Sequence, residues 1–213
     1  MQTSSNNHGA VAKSSAAVHA PTHSLAEITT TYAGTRMGRM TMGLAATAVV
    51  AAAAHVALPL PFTPVPLTLQ PLAVLGVGLA LGPVGGFGAM LAYLAEGLAG
   101  LPVFAPTGVG GAAQLFGATG GYLMAYPLVA FIAGWLVARM KARMPRFAAA
   151  AIACTAATVV LFACGAAWLE SATHVSAAQL WMVSVLPFLP GEIVKIAVAS
   201  GIYSTLSRAR RIQ

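Results

Sequence analysis

Residues 147–169 read FAAAAIACTAATVVLFACGAAWL, 23 consecutive positions without a charged side chain. As a helix this stretch is ~35 Å long, enough to cross a hydrocarbon layer of ~30 Å. It shows none of the apolar–polar alternation of a membrane β-barrel strand. The surroundings agree with the helical reading. Of 213 residues, 58% are hydrophobic and 7% charged, and the mean hydropathy is +0.81. Soluble domains carry about 25% charged residues, so a chain this apolar has too few polar side chains to cover its own surface in water. The expected fold is therefore all-α: a polytopic membrane protein with six transmembrane helices.

Working outward, the other expected spans cover residues 40–58, 67–81, 83–98, 121–137 and 190–207. The pair 67–81 and 83–98 is short and glycine-rich, and a Gly/Pro-rich connection over 100–120 follows it. Ser176-Ala-Ala-Gln179 is a capping-box pattern and starts a short helix that ends before Pro187. Pro190 suits the first turn of the last helix. Pro187 and Pro190 remove backbone donors so close together that two helical pieces are expected rather than one kinked helix. Residues 1–35 are polar, low in complexity and without a hydrophobic period, and read as a disordered tail ahead of a membrane domain over 36–213. Arg36 and Arg39 lie too far from the start, and the following apolar run is too long, for a cleaved signal peptide. The run reads as an uncleaved first span.

The net charge is +7 and the pI about 10.0. In a soluble protein that balance suggests nucleic acid, but here the charges sit at helix ends without aromatic interleaving, so no nucleic-acid partner is expected. Lys13, Arg36 and Arg39 precede the first span. Arg139, Lys141, Arg143 and Arg146 separate the fourth and fifth, and Arg208, Arg210 and Arg211 follow the last. With six spans these places share one side, which the positive-inside rule makes the cytoplasm, with both termini there.

The remaining basic residue, Lys195, lies inside the last span, with Glu192 three residues before it on the same helical face. Ionisable side chains inside spans are costly and face a partner or a cavity. One reading is a mutual ion pair that seals a helix contact; the other is a polar ligand site. The helix start at Pro190 adds unpaired N–H groups and a positive dipole end, and Gly191 leaves room for close approach. The chemistry suits a ligand with N–H donors and an anion or carbonyl. Thr63, Thr68 and Gln70, in a proline-stiffened lead-in to the second span, are further candidates, with Tyr93 and Glu96 at the end of the third. Glu96 by itself reads as a solvated boundary carboxylate. Leu101-Pro-Val-Phe104 is an apolar loop suited to covering a ligand.

Other features have plainer readings. Gly117-Ala-Thr-Gly-Gly-Tyr122 lacks the GK[ST] ending and the preceding strand of a phosphate loop, so tight packing at a span start is expected, with Tyr122 near the site or the interface. Cys154 and Cys164 are ten positions apart on one helix, about 15 Å, far beyond disulfide reach. No metal motif is present, and His8, His19 and His23 are irregularly spaced in the tail. His55, His174 and Glu170 read as boundary residues. Gly43, Thr47 and Ala51, and also Ala48 with Ala52, form small-residue rows that serve internal packing or the docking of another membrane subunit.

Together, Val65-Pro-Leu-Thr-Leu-Gln70, Leu81-Gly-Pro83, Tyr93 through Gly97, Gly100-Leu-Pro-Val-Phe104, Gly117-Ala-Thr-Gly-Gly-Tyr122 and Pro187-Phe-Leu-Pro-Gly-Glu-Ile-Val-Lys195 resemble, in order and spacing, the BioY family. These are the biotin-specific substrate-binding components of energy-coupling factor transporters. The resemblance covers about residues 40–207. It implies a six-helix fold in the cell membrane, capture of biotin from the outer side, and biotin as transported substrate rather than as cofactor. It also implies a transmembrane coupling subunit and an ATPase pair as partners; some members are thought to act without a dedicated module. The chain has no ATPase motif of its own. Self-association is left open. The implied ligand residues are Glu192, Lys195, Thr68, Gln70, Tyr93, Phe104 and Tyr122. The family usually has Asp where this chain has Glu192, and Pro where it has Ala118. A substrate-binding component for another small vitamin is the alternative. A different class is an intramembrane enzyme using Glu192 or Glu96, but that calls for a second activating group, and the His and Cys positions offer none at useful spacing. No catalytic role is therefore expected.

Overall fold

Apolar side chains on all sides of most of the long helices set the architecture: there is no single wet face to turn outward, so the helices pack on each other and on lipid. The computed structural model describes residues 35–174 and 176–209. The stretch read as a tail, with Lys13 and its three histidines, lies almost wholly outside the described residues, as do Arg210 and Arg211. In chain order, α1 is Arg36–His55, followed by strands β1 (Ala57–Leu58) and β2 (Leu67–Thr68), α2 (Gln70–Leu98), α3 (Gly111–Leu115), α4 (Gly120–Met140), α5 (Arg146–Thr173), α6 (Ala177–Ser184), a 3-10 turn (Leu186–Phe188) and α7 (Leu189–Ala209). By length and apolar composition, α1, α2, α4, α5 and the stretch Ala177–Ala209 can each cross a membrane.

Helix α2 contains two of the expected spans. Gly82 takes φ 73° and ψ −176°, a backbone that a side chain resists, and Pro83 bars the helical conformation for the residue before it. The chain folds back there. On a straight helix Gln70 and Tyr93 would be ~35 Å apart; instead their side chains are hydrogen-bonded at 2.7 Å. The antiparallel halves touch through glycine, a Cβ on Gly86 falling 3.0 Å from the Gly78 Cα. The six expected membrane segments are thus all present, two of them as halves of one broken helix.

Several boundaries differ from the sequence reading. Helix α1 begins at Arg36, where the Thr35 hydroxyl caps the Gly38 N–H at 3.0 Å, and ends at His55. The last residues assigned to the first span and the first assigned to the second form the β1–β2 ribbon instead, Ala57 opposite Thr68. Between the strands the proline-rich chain turns at residues 61–62, where the Thr63 N–H donates to the Leu60 carbonyl at 3.4 Å, and bends again at 64–65. The 100–120 connection is not wholly irregular, because Gly111–Leu115 makes one short helix. The capping box at Ser176 and Gln179 is present. Val185 (φ −127°, ψ −59°) and the 3-10 turn separate α6 from α7, in agreement with two pieces.

Glycine makes the central contact. A Cβ on Gly78 would stand 2.4 Å from the Ala130 carbonyl oxygen, and one on Gly134 would stand 2.6 Å from that of Gly78. Helices α2 and α4 therefore meet backbone to backbone. On α5, alanines 149, 150, 153 and 157 are all fully buried. The Gly117–Tyr122 motif is also packing. Trp168 Nε1 donates to the Gly117 carbonyl at 2.9 Å, and a Cβ on Gly121 would lie 2.2 Å from the Trp168 Cβ.

Candidate ligand-binding site

The last helix places its two charges in the protein interior. Glu192 and Lys195 are one turn apart on α7 and only 4% and 5% exposed. Lys195 Nζ donates to Glu192 Oε1 at 2.6 Å. Two ions removed from water cost several kcal/mol each, and one contact offsets that only in part. The arrangement is also incomplete: Glu192 Oε2 is buried without a hydrogen-bond partner among the described residues. A lysine ammonium has three donors, and the contact with Glu192 uses one.

Both residues line a narrow cavity of about 50 Å³. Thr68, Gln70, Tyr122, Tyr126, Gln114 and Thr119 supply its other polar groups. Val65, Pro66, Leu161, Phe162 and Phe188 are among its apolar walls. Six elements or their lead-ins converge on it: the β2 segment, α2, α3, α4, α5 and α7.

Of the candidates named from sequence, Glu192, Lys195, Thr68, Gln70 and Tyr122 come together around this cavity. Tyr93 and Phe104 do not line it; they stand behind Gln70. Gln70 Nε2 donates to the Tyr93 hydroxyl at 2.7 Å, and that hydroxyl donates to the Val103 carbonyl at 2.7 Å. Phe104 packs edge-on against Tyr93 with ring centroids 5.5 Å apart, and its ring fills the space over Gly97. The 101–104 loop is thus anchored to the residue that holds Gln70. Tyr122 donates to the Ser184 carbonyl at 2.8 Å and so ties α4 to α6. Thr63 donates to the Val183 carbonyl at 2.6 Å and ties the β1–β2 connection to the same helix.

Glu96 lies outside the cavity. It is half-buried and accepts a hydrogen bond from Thr47 of α1 at 2.9 Å, so it is a helix–helix contact rather than a simply solvated carboxylate. Of the two small-residue rows on α1, Thr47 is buried with Gly43 and Ala51 half-buried, while Ala48 and Ala52 are exposed. His55, His174 and Glu170 are exposed at helix ends.

Gln114 and Tyr126 were not singled out from sequence. Tyr126 had a usable signal, being four residues after Tyr122 and hence on the same face. Gln114 had little. It sits in a segment read as irregular, and its importance comes from contacts across the loop: Oε1 accepts from the Gly110 N–H at 3.1 Å, and Nε2 donates to the Ala105 carbonyl at 3.2 Å.

The sequence profile of the BioY family matches residues 23–212, reaching back into the stretch read as tail. The chain is 40% identical over 136 residues to the probable biotin transporter BioY of Pyrococcus horikoshii, covering 64% of this chain and 76% of that one. It is 34% identical over 178 residues to the biotin transporter BioY of Rhodobacter capsulatus, covering 79% of this chain and 92% of the relative. Among solved structures it is similar to the S-component for biotin from an ECF-type ABC transporter. The TM-score is 0.74 at 28% identity, over 80% of this chain and 91% of the other.

Proposed function

The chain belongs to the BioY family, and from that membership we infer that it takes up biotin as the substrate-binding subunit of a vitamin transport system. It is a multi-pass protein of the cell membrane. The structural observation that carries the reading is the buried Glu192–Lys195 pair with one carboxylate oxygen unsatisfied at the cavity wall.

Biotin matches those groups. Its ureido ring offers two N–H donors and a carbonyl, and its tail ends in a carboxylate. Glu192 Oε2 accepts a ureido N–H as a charge-assisted hydrogen bond. Lys195 engages an oxygen of the same ligand. Gln70, Thr68 and Tyr122 supply further polar contacts, while Phe188, Leu161, Phe162 and Pro66 cover the hydrocarbon portion. Tyr93 and Phe104 act through Gln70, holding its amide and the 101–104 loop in place. The cavity is small for a bicyclic ligand, so biotin enters by displacing the proline-rich 59–66 connection or the 101–110 loop. Both lie at the end of the bundle where α7 begins, the end that the charge distribution assigns to the outside.

The chain carries no ATPase motif, so the energy for ATP-driven uptake comes from a partner. A transmembrane coupling subunit with an ATPase pair fits this role, and the exposed Ala48–Ala52 row on α1 is a face where another membrane helix can approach closely. The direct test is binding by the purified full chain in detergent, with biotin beside other vitamins. Saturable binding of biotin alone is expected; folded protein that ignores biotin, or prefers another vitamin, overturns the reading.

A further inference from the structure

One buried hydroxyl near the site has no use in the fold. Thr158 of α5 is 5% exposed, and its Oγ1 is sealed from solvent without a hydrogen-bond partner among the described residues. Threonines in helices ordinarily return their hydroxyl to the carbonyl one turn back. On this same helix Thr155 does so to Ala151 at 2.8 Å and Thr173 to Leu169 at 2.7 Å. Thr158 does not.

The packing of α5 against α7 says what Thr158 faces. The two helices run antiparallel, with the Arg146 guanidinium donating to the Ser207 carbonyl at one end of the seam and Cys154 meeting Ser200 further along it. Four residues on along α5 and four back along α7, Thr158 comes level with Ile196, beside Lys195. Leu161 and Phe162, three and four residues after Thr158, flank it on the same helical face, and both line the cavity. Thr158 therefore lies one turn below the cavity wall, at the level of the lysine.

We propose that the Thr158 hydroxyl is a further ligand-binding group, the polar floor of the cavity, which donates to the ligand oxygen that Lys195 engages. The proposal rests on the biotin-binding reading of the Glu192–Lys195 pair. It joins the two buried side-chain oxygens left without a hydrogen-bond partner among the described residues, Glu192 Oε2 and Thr158 Oγ1. An unsatisfied buried hydroxyl costs stability in the free protein and is satisfied when the ligand arrives. The free protein thus carries a penalty that binding relieves.

The test is biotin affinity and melting temperature, measured on the same samples of the full chain in detergent, for wild type, Thr158→Val, Thr158→Ser and Lys195→Ala. Valine keeps the shape and removes the hydroxyl. Thr158→Val is expected to weaken biotin binding roughly five- to tenfold while the ligand-free melting temperature stays the same or rises. Thr158→Ser restores most of the affinity. Both ends of biotin carry an acceptor oxygen, and an analogue whose tail ends in methyl in place of the carboxylate tells them apart. A Thr158→Val penalty that persists with this analogue assigns the ureido carbonyl, and one that vanishes assigns the carboxylate; either upholds the proposal. Normal affinity in Thr158→Val while Lys195→Ala is defective overturns it and leaves the biotin site standing. An affinity loss that tracks a lower melting temperature makes Thr158 a packing residue and also overturns it. Wild type without biotin binding, or Lys195→Ala that binds normally, overturns the underlying reading instead.

Discussion

At the scale of single residues, Glu192 and Lys195 separate a structural ion pair from a binding site. Both roles involve burial and the 2.6 Å contact, but they differ in what a mutation does. Removing one partner of a buried polar contact costs about 1–3 kcal/mol, more where charge is involved. If the ligand takes that contact, the loss appears in affinity. Lys195→Ala is expected to weaken biotin binding by at least about tenfold, since ~1.4 kcal/mol is a factor of ten. Glu192→Gln also weakens it, because an amide lacks the charge assistance for a ureido N–H. Glu192→Asp is much milder, because the carboxylate survives. Isothermal binding together with thermal unfolding distinguishes the cases: lower melting temperatures with unchanged affinity in both single mutants would return the pair to a purely structural role. Glu96 shows the converse lesson. A carboxylate that reads as solvated meets Thr47 only because α1 and the second half of α2 come together in the fold.

At the scale of elements, backbone contact through glycine holds the bundle together. In lipid there is little hydrophobic drive between helices, so close packing has to supply the attraction. Gly134 faces the Gly78 carbonyl and the Gly82–Pro83 break, so α4 holds the folded-back α2 in place. Gly134→Val pushes a side chain into backbone with no room to move and is expected to destabilise the protein by about 1–3 kcal/mol. Gly201→Ala, where nothing lies within 4 Å of the added Cβ, is expected to be neutral or slightly stabilising. Thermal unfolding in one detergent compares the two. Equal melting temperatures for both variants would show that the α2–α4 contact is looser than the geometry implies. Helix α2 also ties the hairpin to the site: folding at Gly82 brings Tyr93 to Gln70, and through Val103 and Phe104 it fixes the loop above.

At the scale of the whole molecule, orientation follows from charge. Arg139, Lys141, Arg143 and Arg146 surround the α4–α5 turn, and Arg208 stands at the end of α7; the Arg146–Ser207 contact puts these two places at the same end of the bundle. The stretches between helices at the opposite end carry no Lys or Arg. By the positive-inside rule, we propose that the basic end faces the cytoplasm. Reporter fusions after Met144 and after Ala172 are expected to report opposite sides, with Met144 cytoplasmic. The same side for both would break the topology, and a reversed pair would place the cavity mouth on the cytoplasmic face.

Much of this protein was legible in one dimension. Hydropathy and length identify membrane helices because lipid demands that every backbone group be satisfied within a segment. The Ser176–Gln179 capping box and the Pro187–Pro190 break act within a few residues, so they too can be read locally. Glu192 and Lys195 stood out because an ionisable pair inside a span is costly enough to need a reason. Other features depend on distant partners. The β1–β2 ribbon exists because two chain ends meet, and the α2 hairpin is held by Gly134, more than 50 residues beyond Gly82. Gln114 lines the cavity because a short helix hidden in an irregular-looking stretch turns it there. Tyr93 and Phe104 stand behind Gln70 rather than at the cavity wall because of a chain of hydrogen bonds across the fold. The idle hydroxyl of Thr158 is invisible in sequence for the same reason: whether a polar group has a partner depends on what packs against it, and only the folded chain decides that.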